Sequence, residues 1–178
     1  MTNNRISIMK RLAVALICAF SAALQYSALR YFSVVGTRPN LPLVATVMTG
    51  FALGGEAGAL AGFFLGLYQD AQTGKILGMY ALFYLYAGVA AGFFPKKTYA
   101  GNLPAALIGV YGMSVAYEAA VWLFAYAIPI LRGGMTPETG FLTAAVRIIV
   151  PTAFLNTFAC VPYYFALRQK PAAMKGAN

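Results

Sequence analysis

Five apolar stretches dominate the chain, at about 12–29, 41–69, 76–94, 104–131 and 141–167. A helix that crosses a bilayer needs about 20 such residues. Lipid offers no hydrogen-bond partners, so each stretch must satisfy its own backbone, and helices do this. Barrel strands would alternate apolar and polar residues, and these stretches do not. Hydrophobic residues make up 61% of the 178 and charged residues only 10%, where soluble domains carry roughly 25% charged. The pattern predicts one all-α integral membrane domain over residues 1–178.

The 41–69 stretch is too long for one comfortable span and short for two. Gly54-Gly55-Glu56 stands near its middle, two turn-permissive glycines and a charge. Cations gather on the cytoplasmic side of membrane proteins, so counting them arbitrates. Five spans leave Arg5, Lys10, Arg11, Lys75 and Arg132 inside against seven cations outside. A break at the glycines gives six segments, with eight cations inside and only Arg30, Arg38, Lys75 and Arg132 outside. The expectation is therefore a bundle of six transmembrane helices at about 12–29, 41–53, 57–69, 76–94, 104–131 and 141–167. The second and third are short, and both termini are cytoplasmic. Each half of 41–69 reaches only about 21 Å at 1.5 Å per residue, which calls for thinning, tilt or shielding by neighbours. The basic start followed by Leu12–Leu29 resembles a signal peptide, but 18 apolar residues exceed the usual 7–15, so it reads as a retained first helix.

The net charge is +9. Its cations flank apolar segments, which points to topology and lipid-headgroup contact rather than to nucleic acid. Cys18 and Cys160 lie inside apolar segments, where small-residue packing is the ordinary role.

Catalytic equipment is sparse. There is no histidine, which removes Ser-His hydrolysis, His-based zinc and histidine proton relays. No phosphate or dinucleotide fingerprint appears. The acids are Glu56, Asp70, Glu118 and Glu138, and Glu56 and Asp70 fall at opposite ends of one segment. The sequence predicts no catalytic, cofactor or metal site, and no enzyme.

Ionisable groups within spans are costly and mark function or pairing. Glu118 sits mid-segment and Arg147 some six residues into the last segment. Antiparallel neighbours would let them pair; a solute site or a partner contact are the other readings. Asp70 sits in the polar run Gln69, Asp70, Gln72, Thr73, Gly74, Lys75, which reads as a turn at the outer boundary. There it caps a helix or meets a partner. Gly50, Gly54, Gly58, Gly62 and Gly66 recur every four residues, a spacing that packs helices closely, within the chain or against a partner. Twelve tyrosines, including Tyr80, Tyr84 and Tyr86, fit an interfacial aromatic belt.

Several motifs in order resemble the MreD family of bacterial rod shape-determining membrane proteins. Leu24-Gln25-Tyr26-Ser27 resembles its Leu-Gln-x-Ser/Thr, and Arg38-Pro39-Asn40-Leu41 its Arg-Pro-Asn/Asp-Leu. Gly62-Phe63 with Gly66-Leu67-Tyr68-Gln69-Asp70 resembles Gly-Phe-x-x-Gly-Leu-x-x-Asp. Gly78, Ala81-Leu82, Gly88, Pro151 and Asn156 continue the likeness, while 95–140 matches little beyond hydrophobicity. The resemblance implies a non-enzymatic scaffold of the elongation machinery in the inner membrane. It implies MreC as direct partner, with RodA, a class B penicillin-binding protein and MreB in the same complex. Arg38, Pro39, Asn40, Gly62, Gly66, Asp70 and Gly78 become partner-contact or structural candidates. The family fold also resembles the substrate-binding subunits of vitamin (ECF-type) transporters. Those dock a coupling protein through Ala-x-x-x-Ala on the first helix, a spacing that Ala15, Ala19 and Ala23 share. Ordinary packing is the favoured reading of those alanines.

Overall fold

A computed structural model describes residues 2–27, 36–73, 77–95, 99, 102–131 and 140–167, with residues 2–11 as backbone alone. Lys75, Lys96, Lys97, Arg132, Glu138 and the basic tail lie outside them. Among the described residues six long helices stand out: α1 (Thr2–Ser27), α2 (Leu41–Leu53), α3 (Gly55–Thr73), α4 (Met79–Phe93), α5 (Leu103–Leu131) and α6 (Phe141–Leu167). Among the described residues there is no strand. α5 and α6 are long and apolar enough to cross a membrane.

The 41–69 stretch breaks at Gly54, whose φ of 105° and ψ of 172° suit only a residue without Cβ. α2 is capped by Asn40, whose side chain accepts from the Leu43 N–H at 3.2 Å. Pro42 in the first turn removes an N–H that has no helical partner anyway. α2 is buried from Leu41 to Phe51 and touches every other helix, as expected of a helix apolar all round. It stands at the centre, and the longer helices surround it.

α3 is not short. It runs 19 residues to Thr73, so the expected polar turn is helical through its first five positions. The Thr73 hydroxyl donates to the Gln69 carbonyl at 3.0 Å and closes the last turn. Below α2, Phe51 stacks on Tyr99 with ring centroids 4.2 Å apart.

Apolar side chains cover the outside. Leu12, Leu16, Phe20, Leu82, Ile108, Leu142, Phe154 and Phe158 are all exposed. Water would penalise so continuous an apolar surface, whereas lipid tails accept it.

Candidate functional site

The motif residues, scattered along the sequence, converge on one end of α2. Asn40 is the hub. Its backbone N–H donates to Asn156 Oδ1 at 2.6 Å, and its own Oδ1 accepts from the Tyr84 hydroxyl at 2.6 Å. Tyr84 lies within 3.0 Å of Gln69 Oε1 as well. Asn156 Nδ2 donates to Ser114 Oγ at 3.1 Å, and Gln25 Oε1 accepts from the Leu41 N–H at 3.0 Å. One polar network therefore ties α1, α2, α3, α4, α5 and α6. Asn156, Ser114 and Tyr84 have no exposed surface. Buried polar groups are costly unless paired, and each pairing contributes about 0.5–1.5 kcal/mol. Arg38 is exposed and Pro39 half-buried; neither joins the network.

Asp70 occupies the adjoining position. Its Oδ2 accepts from the N–H groups of Gly78 and Ala81 at 3.1 and 3.0 Å, and its Oδ1 from that of Tyr80 at 3.0 Å. These are donors at the start of α4, where the helix dipole favours an anion. Gly78 precedes α4 at φ 92°, a left-handed conformation that glycine adopts without strain. Asp70 is 2% exposed. Of the two roles read for it, Asp70 takes that of a cap: α4 folds over the carboxylate and leaves it almost no exposed surface.

The glycines of α3 face α4. A Cβ on Gly66 would fall 2.5 Å from the Ala81 Cα, and one on Gly58 2.6 Å from the Gly88 carbonyl oxygen. On Gly62 it would run into the Tyr84 carbonyl. The backbones touch along this seam, so the glycine series is used within the chain.

The alanines of α1 differ. Ala15, Ala19 and Ala23 are exposed, which corrects the expectation that they pack internally. They line a groove of about 960 Å³ between α1 and α3, floored by Thr49 and Leu53 of α2 and walled opposite by Leu60, Ala61 and Phe64. Exposed Glu56 stands at one end.

Glu118 and Arg147 form no ion pair among the described residues. Glu118 is half-buried beside Tyr80, Tyr84 and Tyr117. Arg147 is exposed, two positions from buried Ile149. Its exposure beside buried Ile149 puts Arg147 on the side away from the bundle. Tyr84, read as a belt tyrosine, is instead fully buried. Only its position opposite an asparagine from another helix reveals its role, and spacing along one segment carries no such information.

This set of motif residues, gathered from five helices, invites comparison with known families. The model of the rod shape-determining protein MreD matches residues 6–169. The chain belongs to the MreD family. No curated protein matches it, and no solved structure does. Family membership assigns it to the membrane and to the determination of rod shape, a structural role. The match takes in most of α1 and all of α2 to α6, including the 95–140 region where the motifs were weakest.

Proposed function

We propose that this protein is a non-enzymatic scaffold of the bacterial elongation machinery, binding MreC and helping to position and regulate peptidoglycan synthesis. RodA, a class B penicillin-binding protein and MreB belong to the same complex through MreC. In this reading all six helices lie in the inner membrane, α2 shielded by the others, with both termini cytoplasmic. The observation that carries it is the open groove between α1 and α3 in a member of a shape-determining family. Small residues let helix backbones approach in lipid, and exposed Leu60 and Phe64 offer apolar contact to a membrane helix of MreC. Asp70 and the glycines then serve the scaffold from within.

The exposed alanines also suit a transporter subunit that docks a coupling protein. The match to a rod shape-determining family favours the scaffold. Co-purification in mild detergent separates the two. MreC is expected to copurify with the native chain, and Ala19→Leu is expected to lose it while remaining folded. Depletion is expected to round rod cells; normal shape with a new vitamin requirement would favour transport.

A further inference from the structure

α6 buries Ala144, Ile149, Ala153, Asn156 and Cys160 on one side. The opposite side exposes Leu142, Val146, Val150, Phe154 and Phe158, one every four residues. Arg147 stands exposed within that apolar side. A guanidinium there is costly unless an anion reaches it, and Glu118 does not.

The backbone at Arg147 is built in an unusual way. Pro151 has no N–H to donate to the Arg147 carbonyl, and its ring crowds that carbonyl. The helix widens, and residues Ala145–Ile149 form a π-turn in which the Val150 N–H donates to the Ala145 carbonyl. Such bulges recur at functional sites. The extra residue keeps Ala144 and Ile149 both facing the core.

Depth follows from the aromatics. Trp122 stacks on Tyr126 at 5.1 Å and meets Phe141 edge-on at 5.3 Å. Rings of this kind gather at membrane boundaries. From Leu103 to Trp122 α5 rises about 29 Å at 1.5 Å per residue, close to the ~30 Å of a hydrocarbon core. Arg147 lies about 9 Å further in along α6 than Phe141. Helix Cα–Cβ bonds tilt toward the N-terminus, here toward the boundary, and a long arginine stem snorkels over most of that distance.

We propose that Arg147 is the anchoring residue of a site for an anionic phospholipid, whose phosphate it holds and whose acyl chains lie along Val150 and Phe154. The forked guanidinium matches a phosphate's oxygens. A fixed cation at the rim of an apolar stripe is complementary to an anion with an apolar tail. The site rests on the membrane reading and is independent of MreC.

The chain has a single tryptophan, Trp122, so the full-length protein reports on its own lipid neighbours. It is reconstituted in phosphatidylcholine vesicles containing either brominated phosphatidylglycerol or brominated phosphatidylcholine at equal mole fraction. Phosphatidylglycerol is expected to quench Trp122 more strongly, corresponding to about fivefold preference. Arg147→Gln is expected to abolish the preference and Arg147→Lys to retain part of it. Equal quenching by the two lipids in the native chain would overturn the site. So would an unchanged preference in Arg147→Gln; if MreC co-purification were lost at the same time, Arg147 would belong to a partner helix. Should Arg147→Gln fail to fold, native mass spectrometry of the native chain decides: phosphatidylglycerol retained no better than phosphatidylcholine would end the proposal.

Discussion

Two seams in this molecule carry small residues at a four-residue spacing, and they end differently. On α3, Gly58, Gly62 and Gly66 bring the backbone of α4 into contact. On α1, Ala15, Ala19 and Ala23 face a groove that no helix fills among the described residues. The glycine seam sits beside a satisfied polar network, with Asp70 joining its two helices at one end. The alanine seam has exposed aromatic and aliphatic walls instead. Spacing alone does not distinguish an internal contact from a docking face; the chemistry at the ends of the seam does.

Substitutions test this contrast. Asp70→Ala leaves the N–H groups of Gly78, Tyr80 and Ala81 without their acceptor, at about 1–3 kcal/mol for each buried group. It is expected to lower stability by about 3 kcal/mol or more, read as an earlier midpoint in denaturant titration of the solubilised protein. Asp70→Asn retains one acceptor oxygen and should fall between Ala and the native residue. Gly66→Leu forces α3 from α4 and should cost about 1–3 kcal/mol in the same titration; an unchanged midpoint would mean that the seam tolerates separation. Tyr84→Phe removes the hydroxyl shared with Asn40 and Gln69 and should cost about 0.5–1.5 kcal/mol, with Asn40 amide protection reduced in hydrogen exchange. Ala19→Leu should leave the midpoint within about 0.5 kcal/mol, as surface substitutions do, while MreC co-purification falls. If Ala19→Leu destabilised the chain as Gly66→Leu does, the two seams would not differ in kind.

Much of the helical layout was legible because apolar length and glycine chemistry are local properties. The break at Gly54 needs only that glycine's backbone freedom. Capping by Asp70 was readable as one of two roles from its polar neighbours. Its burial was not, because that depends on α4 returning over the carboxylate. The Glu118–Arg147 pairing failed for a related reason: both were placed by depth, whereas the helical turn between Arg147 and Ile149 sets direction. Asn40 and Asn156 were singled out through family likeness alone. Their bond joins residues 116 apart in sequence, and no periodicity within either segment encodes it.

The three-donor seat of Asp70 also bears on biogenesis. A buried carboxylate needs its partners, and these belong to the next helix, no nearer than Gly78. The carboxylate of α3 therefore lacks its full set of donors until the chain has been made at least through Ala81. The two helices form a unit, closed by glycine contact along its length and by one acid at its tip. A nascent chain stalled between Asp70 and Gly78 would leave that carboxylate without any of its three donors.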